Sequence, residues 1–268
     1  MKLKAAQILK TENLISLTPD SKLAEASAKF KSSHDAVMVL DGSQFLGVIT
    51  PYHALMRRAF PPTTKLANCL FSPPKLNLGT PLREVARLML ESKVHYLPII
   101  DEANQLLGIA TARRVLRQLK EEKSFKATAS NLLSNKPYLQ TINLESVFEE
   151  VLRFFQVTKF SKVLIVNEVN HLQGIISIFD ILPIFSEPKE RMGFFDKGEQ
   201  VAALKKYSLR HFLKTSTMQI FPSAALTEVI ELILEKEIGS VIVMRNRQEP
   251  ENIITTSDLL KFYLTQND

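Results

Sequence analysis

The chain has 268 residues with 45% apolar and 23% charged side chains, the balance of a folded globular protein, and wholesale disorder is excluded. Its longest apolar runs, such as Val37–Leu40 and Val163–Val166, fall far short of the roughly 18 to 20 residues that cross a bilayer, and Met1–Lys10 has no apolar signal core, so neither membrane insertion nor export is expected. A lone cysteine, Cys69, permits no internal disulfide and no thiolate zinc site, which predicts a reducing, cytoplasmic location. The net charge of +6 is uneven: residues 1–134 carry 19 Lys and Arg against 11 Asp and Glu, the remainder 15 against 17. A basic half suits a polyphosphate, an acidic protein surface or nucleic acid. The basic residues are scattered rather than clustered among aromatics, which argues against nucleic acid and for a solvated face.

Taken in chain order, one unit recurs four times. It opens on a short segment ending in an apolar anchor, at Leu9, Leu70, Leu133 and Leu213. An amphipathic helix pattern follows, with an acid at Glu25, Glu84, Glu149 or Glu228. Next come an apolar strand (Val37–Leu40, Leu97–Ile100, Val163–Val166, Val241–Met244) and a polar turn such as Asp41-Gly42-Ser43. A further strand starts at Gly47, Gly108, Gly174 or Asn252 and runs straight into another helix. The anchors precede those positions by 38, 38, 41 and 39 residues.

The pattern predicts an α+β fold of four β-α-β-β-α repeats, with a stripe such as Val229, Ile230, Ile233 and Leu234 covering each sheet. A small sheet with two helices cannot bury both of its faces, so the repeats are expected to pack as two tandem pairs, residues 1–122 and 123–268. Residues 183–206 are an insertion that stretches one anchor spacing to 80 residues from 61 and 63. Its Met192-Gly193-Phe194-Phe195 either plugs a groove between repeats or docks on a partner, whereas Phe154-Phe155 sits in a helical pattern that suits the core.

Leu97-Pro98-Ile99-Ile100-Asp101, the Gly-Ile-x-Thr of 108–111, and Gly174-Ile175-Ile176-Ser177 followed by Asp180-Ile181-Leu182 together resemble the CBS domain, named for cystathionine beta-synthase. Four copies cover nearly the whole chain. The resemblance implies Bateman modules, tandem pairs that commonly bind adenosine-containing ligands in clefts between repeats, report on them to a partner, and often associate into disc-like dimers.

Candidate site residues lie where the last strand of each repeat meets its second helix. Ser177 with Asp180 and Thr255 with Asp258 put a hydroxyl at a helix start, beside free N–H groups and the positive dipole end, a setting for phosphate. The resemblance assigns the aspartates to ribose hydroxyls; the same spacing is also a capping box that only steadies a helix start. Lys162 offers a point charge for phosphate. Thr141 and Ile142, and Gln219 and Ile220, occupy first strands where the family sets adenine against backbone and an apolar side chain, although such residues also serve as core.

The first pair of repeats departs from this pattern. Thr50 and Thr111 keep the hydroxyl, but His53 and Arg114 replace the aspartate, and a cation cannot accept a ribose hydroxyl. That pair has then lost the site, or takes something more anionic through Arg57, Arg58, Arg113 and Arg114, or simply shows solvated arginines. His95 matches a phosphate-holding position of the family and also reads as a partly buried structural histidine.

The sequence has no phosphate loop with Lys-Ser/Thr, no His-Glu-x-x-His and no Gly-x-Ser-x-Gly, and its histidines at 34, 53, 95, 171 and 211 lack metal-ligand spacing. No catalytic residue, metal or required cofactor is expected. The expected function is a cytoplasmic regulatory protein that binds AMP, ADP, ATP or S-adenosylmethionine in its C-terminal module, forms a homodimer and acts on an unidentified protein partner. The rival is a ligand-free interaction scaffold with a basic N-terminal module.

Overall fold

The aliphatic runs become the middle strands of small sheets, and the computed structural model describes residues 3–30, 36–50, 60–158, 160–181 and 207–266. Three sheets have three strands: β1 (Ile15–Leu17), β2 (Val37–Asp41) and β3 (Gln44–Ile49) in the first repeat; β6 (Thr141–Asn143), β7 (Lys162–Val166) and β8 (Leu172–Ser177) in the third; β9 (Gln219–Ile220), β10 (Ser240–Met244) and β11 (Pro250–Thr255) in the fourth. In each, the first strand runs parallel to the middle one and the third antiparallel, as a β-α-β-β order requires. The second repeat keeps only β4 (Tyr96–Ile100) and β5 (Leu106–Thr111). Its expected first strand shrinks to one bridge, Leu76 beside Ile99, because Pro73 and Pro74 have no N–H for a ladder and the Asn77–Thr80 turn follows at once.

The helices are α1 (Leu23–Lys29), α2 (Leu82–Ser92), α3 (Ala112–Leu119), α4 (Ala129–Leu133), α5 (Phe148–Thr158), α6 (Leu226–Glu235) and α7 (Thr256–Gln266). In α6, Leu226, Val229, Ile230 and Ile233 are buried, while Leu234 is half-buried at the edge of the stripe. In α5, Phe155 is fully buried and Phe154 leans toward Phe160 with ring centroids 6.1 Å apart. His34, His53, Arg57, Arg58 and the Met192–Phe195 segment lie outside the described residues.

The pairing of repeats rests on an exchange. Each leading segment leaves its own repeat and lies on the last strand of its neighbour: Lys10 on Ile109, Phe71 on Val48, Lys214 on Ile175. Glycine permits the approach. A Cβ at Gly108 would stand 2.5 Å from the Lys10 carbonyl oxygen, closer than any real contact. In the fourth repeat Asn252 takes the glycine's place, and side chains replace the backbone pairing: Asn252 Nδ2 donates to the Pro137 carbonyl at 3.2 Å, and the Lys136 ammonium donates to the Ile253 carbonyl. Gly108→Ala is expected to destabilise the protein by about 3 kcal/mol, measured by denaturant unfolding, since neither backbone can retreat without breaking its hydrogen bonds.

Hydrophobic cores cross between the halves of the chain. One joins α2 and α3 of the second repeat to α6 and α7 of the fourth through Val85, Met89, Leu116, Val229, Ile233 and Leu260. Another joins the first repeat to the third through Leu23, Val39, Ile49, Val151, Phe155 and Ile176. The uneven charge finds partners in this arrangement. Lys120 pairs with Glu231 at 3.4 Å, Arg83 donates to the Leu264 carbonyl at 3.2 Å, and Arg113 donates to the Glu237 carbonyl. Those two carbonyls lie in the last turn of α7 and just beyond the end of α6, where the helix dipole is negative and cations are favoured. Part of the basic half thus serves the helix ends of the other half. No helix among the described residues is long and apolar enough to cross a membrane.

Candidate functional site

Strand register gathers the polar residues of the C-terminal half into one patch. Lys162 opens β7 directly opposite Ser177 at the end of β8, and Ser240 opens β10 opposite Thr255 at the end of β11. The two pairs meet where Lys162 Nζ donates to Ser240 Oγ at 2.9 Å. Asp180 and Asp258 flank the patch, each three residues beyond its hydroxyl. Among the described residues, no carboxylate stands within 4.0 Å of the Lys162 ammonium. Burial pulls that ammonium down to about 8 from 10.5, opposed by Asp180 and reinforced by Lys214.

Both aspartates carry local bonds. Asp180 Oδ2 accepts from the Ser177 N–H at 2.7 Å and the Ser177 hydroxyl at 2.6 Å, while Oδ1 accepts from Lys214 Nζ at 2.6 Å. The Asp180 side chain is only 6% exposed against 58% for Lys214, so a nearly buried carboxylate holds a cation from the surface. Lys214 also lies over the Phe179 ring at 5.6 Å. At Asp258, Oδ2 receives the Thr255 N–H at 2.8 Å, the Thr255 hydroxyl at 2.7 Å and Lys136 Nζ at 2.7 Å. These bonds fit the capping reading of Ser/Thr-x-x-Asp; both oxygens of Asp180 are engaged, whereas at Asp258 all three bonds among the described residues fall on Oδ2.

The N-terminal half reverses the charges. Thr111 caps α3 by accepting the Arg114 N–H at 3.3 Å. The Arg114 guanidinium donates to the Leu9 carbonyl at 2.6 Å and pairs with Glu12, so here the helix supplies the cation and the leading segment the acid. A cleft of about 90 Å³ opens beside this pair, with Leu14, Ile15 and Ile109 as apolar wall, and His95, Thr111 and Arg113 as polar groups. Thr256 of the fourth repeat reaches the same cleft, its hydroxyl 3.4 Å from His95 Nδ1. Burial first, and then the Lys162 charge, hold the His95 imidazole down at about 4. Thr50 is buried at the end of the described part of the first repeat.

The CBS domain profile matches residues 5–59, 70–121, 131–187 and 210–265. The chain belongs to the CBS domain family. Its fold is similar to that of protein MJ1225 of Methanocaldococcus jannaschii, described as a candidate archaeal homologue of g-AMPK, with a TM-score of 0.77 and 17% identity over 97% of this chain and 100% of that one. Protein MJ1404 of the same organism is 20% identical over 94% of this chain, which spans 60% of that relative's length. The 5'-AMP-activated protein kinase subunit gamma of Dictyostelium discoideum is 26% identical over 69% of this chain and 34% of its own length.

Within the CBS repeats, Ser177, Asp180, Thr255, Asp258 and Lys162 share one patch, whereas Thr111, Arg114 and the neighbouring His95 line or border the first-pair cleft. Ile142 and Ile220 lie in the cores, with Thr141 beside Ile142 in β6. Register explains their burial: Leu17, Ile142 and Ile220 each pair with the residue just before the bulge of the middle strand. The equivalents of the cleft-lining Leu14 and Ile15 are therefore Leu139 and Gln140 in the third repeat, and Thr217 and Met218 in the fourth. The residues that sequence reasoning passed over are Lys136, Lys214, Ser240 and Glu12. A lysine close behind the anchors Leu133 and Leu213 was the available signal.

Proposed function

We propose that this CBS protein is a regulatory sensor rather than an enzyme, and that it binds an adenosyl ligand in its C-terminal module, residues 123–268. AMP, ADP, ATP and S-adenosylmethionine are the candidates. The observation that carries the reading is Lys162, a cation drawn into the protein with a hydroxyl for its hydrogen-bond partner and its pKa pulled to about 8. A phosphate would supply the counter-charge that burial has removed. In this reading Asp180 and Asp258 hold ribose, Ser177 and Thr255 assist at phosphate, and the stretches that lead into β6 and β9, at Leu139 and Gln140 and at Thr217 and Met218, back the adenine in place of the core residues Ile142 and Ile220. The D. discoideum relative is named as a subunit of an AMP-activated kinase, which supports the ligand class.

Binding at the seam between repeats would favour one of their relative arrangements, provided the ligand's affinity differs between the two. That shift would pass to a second copy of the chain in a homodimer or to a separate protein. The scaffold reading has its own support, since the aspartates already serve as caps bonded to lysines.

Thermal unfolding of the full chain with AMP, ADP, ATP, S-adenosylmethionine, GTP and a short DNA duplex separates the two. A ligand at about 100 times its dissociation constant adds about 2.7 kcal/mol, several degrees in midpoint for a protein of this size. The sensor reading expects a shift with an adenosyl compound but not with GTP or DNA, lost in Asp180→Ala/Asp258→Ala. No shift with any compound selects the scaffold.

A further inference from the structure

We propose that Lys136 and Lys214 are selector residues that make the polar patch of the C-terminal half specific for adenosine phosphates over sulfonium-bearing adenosyl compounds. The inference rests on the adenosyl reading above and names the ligand class for that same site.

Each lysine reaches an aspartate of the paired repeat. Lys136, from the leading segment of the third repeat, meets Asp258 of the fourth, and Lys214, from the leading segment of the fourth, meets Asp180 of the third. Both are tethered by something besides the carboxylate. The Lys136 ammonium also donates to the Ile253 carbonyl, and Lys214 lies over the Phe179 ring. A ribose on the carboxylate competes with the lysine for that anion, and the tethered lysine remains beside the ligand. What it meets next is the ligand. A phosphate restores a charge-assisted hydrogen bond, so the swap of partners conserves one ion pair on each side. A sulfonium offers no acceptor at its charged centre and adds like-charge repulsion.

The balance of charge around Asp180 strengthens the bias. Lys162 feels both Asp180 and Lys214, so two ammonium groups act on one carboxylate there. The reversed pair in the second repeat marks the contrast. With Arg114 on the helix and Glu12 on the leading segment, a ribose finds no carboxylate at the helix start, and the displaced partner would be an acid that repels phosphate. Lys10 takes the place on Ile109 that Lys214 takes on Ile175, but the helix beside it carries Arg114 in the position of the aspartate, so what distinguishes the C-terminal half is the lysine–aspartate pair rather than the lysine alone.

The test is calorimetric titration of the full chain with AMP, adenosine and S-adenosylmethionine, in the wild type and in Lys136→Met, Lys214→Met and the charge-conserving Lys136→Arg and Lys214→Arg. Wild-type protein is expected to bind AMP at least about tenfold more tightly than either other compound. Each methionine variant should lose about tenfold toward AMP with adenosine affinity unchanged or improved, and each arginine variant should keep most of the preference. Equal wild-type affinity for AMP and S-adenosylmethionine would overturn the proposal. So would methionine variants that weaken AMP and adenosine alike, the mark of a purely structural clasp. If none of the three compounds binds the wild type, the adenosyl reading falls and this inference with it, whereas binding without preference removes the inference alone.

Discussion

Lys162→Met is expected to raise the unfolding midpoint of the ligand-free protein by several degrees and to lower its affinity for AMP by at least about tenfold. The two effects have one cause. At neutral pH the ammonium remains charged in the fold although burial pulls its pKa to about 8 from 10.5, so holding that charge costs about 3 kcal/mol before allowance for its partial exposure. Methionine has similar length, carries no charge and suits an irregular gap. The lost bond to Ser240 returns about 1 kcal/mol of the gain, leaving a net stabilisation of about 1–2 kcal/mol. Scanning calorimetry with and without AMP reads both effects. A lower midpoint for the empty variant would show that Lys162 is structural. The sign also fixes a pH dependence: the stabilisation released by deprotonation is present above 10.5 and lost as the pH falls through 8, while affinity for a phosphate weakens as the pH rises through 8 and the cation disappears.

Acid should destabilise the wild type between pH 6.5 and 4, and His95→Gln should remove most of that slope. His95 is held at about 4 in the fold by burial and by Lys162, against 6.5 when unfolded. Between those values the unfolded chain takes up a proton that the folded protein refuses, so stability present above 6.5 is lost as the pH falls through 4. The full shift corresponds to about 3 kcal/mol, and partial exposure trims it to about 1–3 kcal/mol. Glutamine keeps a polar group near the Thr256 hydroxyl without titrating in this range. Urea unfolding at a series of pH values measures the slope. Equal slopes in the two proteins would show that His95 is not the titrating group. Lys162→Met should raise the folded pKa of His95 and so reduce the stability lost to acid, because it removes the second cause of the depression and leaves the first.

The repeats could be read with no structure because their signals are local. A β-branched run beside a turn and a helix-period stripe identify themselves within a dozen residues, and four similar spacings exclude coincidence. The middle strands fall within a residue or two of their expected bounds, and the place of Asp180 and Asp258 three residues beyond a strand-end hydroxyl follows directly from the motif. The first strand of the second repeat did not survive, since two prolines outweighed the spacing of its siblings. The apolar wall expected at Ile142 and Ile220 moved for a different reason. Period-two alternation turns neighbouring side chains to opposite faces, and the register that decides which face meets the cleft is set by the middle strand and its bulge.

The partners of the site residues were beyond reach of the sequence. Lys136 meets Asp258 across 122 positions and Arg114 meets the Leu9 carbonyl across 105. Those meetings depend on the exchange of leading segments, and that exchange depends on glycines whose role appears only when a foreign carbonyl lies against them. The charge imbalance behaves likewise: as a count it suits a polyphosphate, an acidic protein surface, nucleic acid or a solvated face, whereas in space some of its cations end on the helix termini of the other half.

By itself the sequence determined what repeats, how many times, and which residue types stand at the head of each second helix, because these are written in spacing and short-range period. The tertiary structure alone decided which charges face one another, which lysine guards which aspartate, and that the helices of the second repeat share a core with those of the fourth. Contacts of that kind are made between segments a hundred residues apart, and their geometry is set by packing and register rather than by any local preference.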